Sequence, residues 1–243
     1  MRFDIMTLFP DLVTQVLAES IIGRAQKSGA IEVFAHNIRD YSADKHRRVD
    51  DTPYGGGMGM LMAAPPIVNC FEAICKIQSP EVRRRVIYMS PRGKIFDHAA
   101  AKRFAEYDDL VILCGHYEGV DARVLDLIVD EEVSIGDFVL TGGELPACIV
   151  TDAVARLCPG VLADDECYEK ESIASGLLEY PQYTRPYEYR GLTVPDVLIS
   201  GHHENIDKWR LAQSVAVTRE NRPDLFAAWE SRADDGGKEK SKT

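Results

Sequence analysis

No stretch of this chain approaches the ~20 consecutive apolar residues that a membrane span requires. Its amino terminus, Met1-Arg2-Phe3-Asp4-Ile5-Met6, has no basic region leading into an apolar core and a small-residue cleavage site. A cytoplasmic protein without membrane contact is expected. The C-x-x-C spacing is missing too. Six cysteines, at 70, 75, 114, 148, 158 and 167, stand singly. Most have apolar neighbours, as in Leu113-Cys114-Gly115, and read as reduced structural thiols rather than disulfides or metal ligands. His202-His203 has no H-E-x-x-H around it, and adjacent histidines cannot share a helix face, so no metal site is expected. There is no G-x-S-x-G nucleophile elbow. A basic excess is also absent: the net charge is −11 and the pI is near 5.0. That argues against non-specific nucleic-acid binding. It leaves room for a specific RNA partner at local cationic patches. Such patches occur at Lys45-His46-Arg47-Arg48, at Arg83-Arg84-Arg85 and between Arg185 and Arg222, although each alone is by default a solvated face.

What the chain does have is enough length, 243 residues with 45% apolar content, to bury a sizeable core. Residues 2–9, 31–38, 86–89, 110–113 and 132–135 read as strands. Helical spacing covers 11–27, 65–78, 97–107, 121–129 and 144–158. Continuous apolar strands alternating with helices predict an α/β domain with a mostly parallel sheet covered by helices on both faces. After Pro159-Gly160 the composition changes. The charged run Ala-Asp-Asp-Glu-Cys-Tyr-Glu-Lys-Glu-Ser at 163–172 reads as a mobile linker. Helical patterns near 204–217 and 222–232 predict a second, smaller, mostly helical domain. The expected division is 1–161, a linker at 162–173, and 174–243.

The most informative segment is Ser134-Ile135-Gly136-Asp137-Phe138-Val139-Leu140-Thr141-Gly142-Gly143-Glu144-Leu145-Pro146. It begins as a strand, passes three glycines and enters a helix at Glu144, with Pro146 in the first turn. It has no Lys-Ser/Thr pair for a P-loop and is not the G-x-G-x-x-G turn. A glycine-lined pocket without phosphate chemistry suggests an adenosine-type ligand gripped by main chain. Two other glycine-bearing loops are expected after strands, Ser90-Pro91-Arg92-Gly93 and Gly115-His116-Tyr117-Glu118-Gly119-Val120-Asp121. In a parallel sheet all three emerge at one edge, where ligands bind. The segment Asp50-Asp51-Thr52-Pro53-Tyr54-Gly55-Gly56-Gly57-Met58-Gly59-Met60 is either a floppy loop or a base-holding loop that orders on substrate. Asp152 and Arg156, four apart on one helix, are either a surface ion pair or, at Arg156, a group near the ligand edge.

These motifs resemble the bacterial tRNA (guanine-N1)-methyltransferases of the SPOUT class, nearly end to end. The match includes Thr7-Leu8-Phe9-Pro10, the 50–60 and 114–121 segments, the 134–146 segment, Tyr183-Thr184-Arg185-Pro186 and Leu198-Ile199-Ser200-Gly201-His202-His203. The resemblance implies a deep trefoil knot, which periodicity does not reveal. It implies S-adenosylmethionine bound in the knot by Tyr88, Met89, Ser90, Pro91, Gly115, Tyr117, Glu118, Gly119, Ile135, Gly136, Asp137, Phe138, Val139, Leu140, Gly142, Gly143 and Pro146. It further implies a homodimer with shared active sites, a tRNA-binding C-terminal domain, and methylation of N1 of the guanosine at tRNA position 37. Asp50, Tyr54, Gly55, Gly57, Gly59, Met60, Ser172, His202 and His203 then meet the tRNA. Stimulation by Mg²⁺ also belongs to the family pattern, with Glu118 a candidate ligand that no metal motif supports.

Two catalytic residues follow from the resemblance. Glu171 removes the N1 proton, and Arg156 stabilises the charge that spreads to the guanine O6. The chain departs from the family at three positions: Glu171 stands where an aspartate is usual, Phe138 where a tyrosine is common, and Arg92 where a glutamine is frequent. Two rivals stay open on residues alone. One is a non-catalytic RNA-binding protein that ignores S-adenosylmethionine; the other is a hydrolase using Glu118 and Glu144.

Overall fold

The computed structural model describes residues 1–162 and 172–239. Most of the expected linker, including Glu171, lies outside the described residues. The chain divides into two compact units, Met1–Asp165 and Glu166–Thr243.

The first unit runs β1 (Arg2–Thr7), α1 (Pro10–Leu17), α2 (Ser20–Ser28), β2 (Glu32–Asn37), a 3₁₀ turn (Ile38–Tyr41), β3 (Asp50–Asp51), β4 (Leu61–Met62), α3 (Ala64–Lys76), β5 (Arg84–Ile95), α4 (His98–Ala105), β6 (Asp109–Cys114), α5 (Ala122–Ile128), β7 (Glu131–Ser134) and α6 (Glu144–Ala155). Five strands form one sheet in the order β2-β1-β6-β5-β7, and every pairing in it is parallel. Strand β6 is central and wholly buried, as its apolar run Leu110-Val111-Ile112-Leu113 requires. Alternation sends Leu110, Ile112 and Cys114 to one face, with Phe3, Ile5 and Ile87, against apolar residues of α1, α2, α4 and α6. Val111 and Leu113 point the other way, with Met6 and Val86, against α3 and α5. Local signals start the helices. Asp97 caps α4 by accepting the Ala100 amide at 2.7 Å, and Asp121 caps α5 through the Arg123 amide at 3.0 Å.

Three expectations need correcting. Residues 11–27 are two helices, not one. Ser20 has a left-handed φ of 54°, and Gly23 lies so close to the Ala18 carbonyl that any side chain would collide with it. Ser90–Gly93 is not a loop after a strand but an irregularity inside β5, where Met89 and Lys94 both pair with Val133. The run Arg83-Arg84-Arg85 is spent on ion pairs, to Asp108 at 3.1 Å, Asp109 at 2.8 Å and Glu131 at 3.1 Å.

The second unit contains β8 (Glu188–Tyr189) and β9 (Leu192–Thr193), paired as an antiparallel hairpin, then α7 (Asp196–Ile199), α8 (His203–Asn221) and α9 (Pro223–Glu239). The Leu178 amide ties its first segment to α8 through Thr218 Oγ1 at 2.8 Å.

Candidate active site

From β5 the chain crosses to β6 on one side, and from β6 it crosses back to β7 on the other. β5 is therefore a topological switch point, the place where open α/β sheets bind ligands beyond the strands' carboxyl ends. A cavity of about 480 Å³ opens there, within the range of small-molecule and cofactor sites. Its walls are residues 88–92 of β5, the 115–120 loop, residues 133–136 and 138–143, and Pro146 of α6. All the residues expected to hold the donor line it except Asp137.

Glycines make this packing possible. A Cβ on Gly115 would lie 2.7 Å from Tyr88 Oη, and one on Gly143 would lie 2.8 Å from Cys114 Cα. The Gly143 amide donates to the Gly115 carbonyl at 2.9 Å, fastening the loop after β7 to the loop after β6. Tyr117 holds a left-handed φ of 59° without being glycine, the kind of local strain that collects at ligand sites. Among the described residues, the Val139, Leu140 and Thr141 amides donate to no protein acceptor. Beside them Phe138, Val139 and Leu140 are exposed, Val139 to 81%. Burial pushes the Tyr88 phenol above its ordinary range, with the Glu132 charge adding to the effect.

The glycine-rich segment is tied to the 115–120 loop that walls this cavity. β3 pairs with β4, Asp50 opposite Met62. The Glu118 amide donates to the Met60 carbonyl at 3.0 Å, and the Met62 amide to Gly119 at 2.9 Å. Gly59 sits against the Glu118 side chain with φ +85°, while Tyr54 and Met58 are almost fully exposed.

Most of the chain matches known proteins. Residues 1–228 match the family described as tRNA (Guanine-1)-methyltransferase TrmD. The chain belongs to this family. The tRNA (guanine-N(1)-)-methyltransferase of Ruminiclostridium cellulolyticum is 56% identical over 226 residues, covering 93% of this chain and 96% of that protein. The one from Lachnospira eligens is 56% identical over 235 residues, 97% of this chain and 99% of its own. That of Geobacter sulfurreducens is 55% identical over 226 residues, 93% and 91% of the two chains.

Within the family pattern the structure separates some expected residues. Arg156 caps the carboxyl end of α6, whose amino end lies at the cavity. Twelve residues at ~1.5 Å each place Arg156 about 18 Å along the helix from that lip. Just beyond it, Gly160 packs on Ala30, at the approach to β2 and the opposite sheet edge. Arg156 thus does not face the ligand edge of its own chain. Ser172, His202 and His203 belong to the second unit. There Ser172 Oγ accepts the Glu179 amide at 2.9 Å, and the two histidines are exposed where α8 begins. Five described cysteines are free, four of them buried. Among the described residues no His, Cys, Asp or Glu cluster suits a metal ion, and no helix is long and apolar enough to cross a membrane.

Leu61 also lines the cavity, outside every segment that the resemblance marked for the donor. His116 lies inside a quoted motif, but only the fold shows its ring turned to the cavity wall, between Phe9 at 5.1 Å and Tyr117 at 5.0 Å.

Proposed function

We propose that this chain transfers the methyl group of S-adenosylmethionine to N1 of the guanosine at position 37 of tRNA. The observation that carries this reading is the cavity at the β5 switch point. It is walled by glycine and main chain, and it lies within sequence that matches the family. It fits the donor by chemistry as well as size. A side chain at Gly115 would push on the Tyr88 ring, and one at Gly143 would part the two loops that wall the cavity. The amides at 139–141 are available to adenine and ribose acceptors, and exposed Phe138 and Leu140 cover an apolar ring face. When bound, S-adenosylmethionine supplies a methyl already activated on a positive sulfur. The harder task left to the protein is the guanine, whose N1 is a poor nucleophile while it carries a proton.

Glu171 takes that proton as general base, and Arg156 meets the charge that develops on O6. The loop from Gly55 to Met60, with Asp50 at its base, holds the purine in line with the methyl group. The active unit is a homodimer with shared sites. Arg156 is too far from its own cavity to serve it, whereas a partner can present Arg156 there. An apolar surface suits such pairing: Val16 of α1 and Leu145 and Ile149 of α6 are each 50% exposed, on helices that pack together. The loop after β7 is knotted through the chain, residues 162–173 are a linker, and 174–243 is the tRNA-binding domain. Mg²⁺, if used, meets Glu118.

The test is transfer of labelled methyl to a tRNA transcript carrying guanosine or adenosine at position 37. Label at N1 of guanosine 37 alone is expected. Label elsewhere, or none with donor bound, overturns the reading.

A further inference from the structure

Glu144 is a buried carboxylate in the first turn of α6, where a helix N-terminus favours negative charge. Thr7, fully buried at the end of β1, donates its hydroxyl to Glu144 Oε1 at 2.8 Å. The same hydroxyl oxygen accepts the Phe9 amide at 2.9 Å. One carboxylate oxygen is therefore anchored to the sheet. The other, Oε2, lies against Gly142: a Cβ there would overlap Oε2 and come within 2.8 Å of His116 Nδ1. Glu144 Oε2 and His116 Nδ1 thus flank one point, at a residue that must be glycine. His116 Nδ1 is buried and has no hydrogen-bond partner among the described residues. Its ring is packed between Phe9 and Tyr117 and lines the cavity. Burial, then the Glu144 charge, lifts the neighbouring Cys114 thiol well above its ordinary range, so Cys114 offers no competing thiolate.

We propose that Glu144 fixes the tautomer of His116, holding the proton on Nδ1 so that Nε2 turns a lone pair toward the cavity and accepts a hydrogen bond from an N–H or O–H of the methyl donor. A small rotation of either side chain closes the gap between carboxylate and ring. A ring nitrogen that faces a carboxylate keeps its proton, and the opposite nitrogen is left as acceptor. His116 is then a binding residue toward the donor, and Glu144, braced by Thr7, is a positioning residue acting through it. This assignment rests on the methyl-donor reading of the cavity.

Nitrogen NMR of histidine-labelled, donor-free protein at alkaline pH reads the tautomer directly. His116 is expected as the Nδ1–H form in the wild type and to lose that preference in Glu144→Gln and in Thr7→Val. Calorimetry with S-adenosylmethionine reads the contact. His116→Asn should weaken binding about tenfold, while His116→Gln, whose amide reaches the Nε2 position, should stay within about threefold. Glu144→Gln should lose about tenfold, with no further loss when combined with His116→Asn. An Nε2–H tautomer in the wild type overturns the proposal, as do losses that multiply in the double variant. Should Glu144→Gln not fold, the wild-type tautomer and the His116 pair still decide it. If the wild type takes up no S-adenosylmethionine, the proposed function fails, while the tautomer still reports on the Glu144–His116 link.

Discussion

The two ends of the central sheet are built to opposite rules. At the amino end, charged groups are buried and turned toward one another. Asp4 is fully buried on β1. It meets Arg2 at 2.6 and 2.8 Å, His36 at 2.6 Å and Gln78 at 2.9 Å. On the neighbouring strand Asp109 pairs with Arg84 at 2.8 Å. At the carboxyl end one buried carboxylate, Glu144, is anchored by Thr7, while glycines line the cavity, Tyr117 is held left-handed, and Phe138, Val139 and Leu140 are exposed. The same strands thus close one edge on itself and open the other into the cavity. Stability and function are separable along the strand direction, and substitutions at each edge should register in different measurements.

Arg156 is the residue that would break this division, because it stands at the closed edge yet is assigned to catalysis. Mixed dimers resolve the conflict. Arg156→Ala and Glu171→Gln should each lower the single-turnover rate by ~10²–10⁴-fold while donor binding by calorimetry stays unchanged. Pairing an Arg156→Ala subunit with a subunit whose cavity is blocked by Gly115→Val should restore one working site. If the mixture stays as inactive as either parent, Arg156 acts within its own chain or only supports the fold, and the shared site is wrong.

Next in size is the closed edge itself. Asp4→Ala leaves Arg2 and His36 without their common partner, and removing one member of a buried charged network costs about 3–5 kcal/mol. Chemical denaturation should show that loss while the donor dissociation constant stays within about twofold. A comparable change in donor affinity would mean the two edges are coupled. The converse substitution is Gly143→Ala, whose methyl would press on two backbone atoms, Cys114 Cα at 2.8 Å and the Gly115 amide at 3.0 Å. A shift of ~1 Å at the reacting centre costs about a hundredfold in kcat/KM, and that loss should exceed any change in unfolding midpoint.

How legible each edge was follows from how local its signals are. The strands were readable because β6 and its neighbours carry continuous apolar runs, and the helix starts because Asp97 and Asp121 lie beside the amides they cap. The open edge was readable in outline, since glycine before a helix is a local signature. What failed needed three dimensions. The break at Ser20 is enforced by a carbonyl contact inside the turn. The irregularity at Ser90–Gly93 exists because β7 pairs with both of its ends. The three arginines at 83–85 look like a patch until Asp108, Asp109 and Glu131 arrive from distant strands. The direction of α6, which decides where Arg156 goes, depends on which edge the helix starts from.

The finest distinction lies within the closed edge, between its two buried aspartates. Burial raises Asp4, but hydrogen bonds from His36 and Arg2 outweigh it, and its carboxyl sits below the ordinary 3.8. Asp109 goes the other way: burial outweighs Arg84, one oxygen has no partner, and its carboxyl sits above 3.8. A depressed carboxyl stabilises the fold above its unfolded value, and that contribution is lost as pH falls below 3.8 through the folded value. A raised one burdens the fold at neutral pH, and the burden lifts as pH falls through its folded value toward 3.8. The stability difference between wild type and Asp109→Asn should therefore be constant near neutrality and change as the pH approaches 3.8 from above. It should move in the direction that favours the wild type. Asp4→Asn should show its pH-dependent difference only below that point. Urea midpoints across the acid range measure both, and a flat difference for Asp109→Asn would mean that Arg84 holds its carboxylate as firmly as Arg2 and His36 hold Asp4.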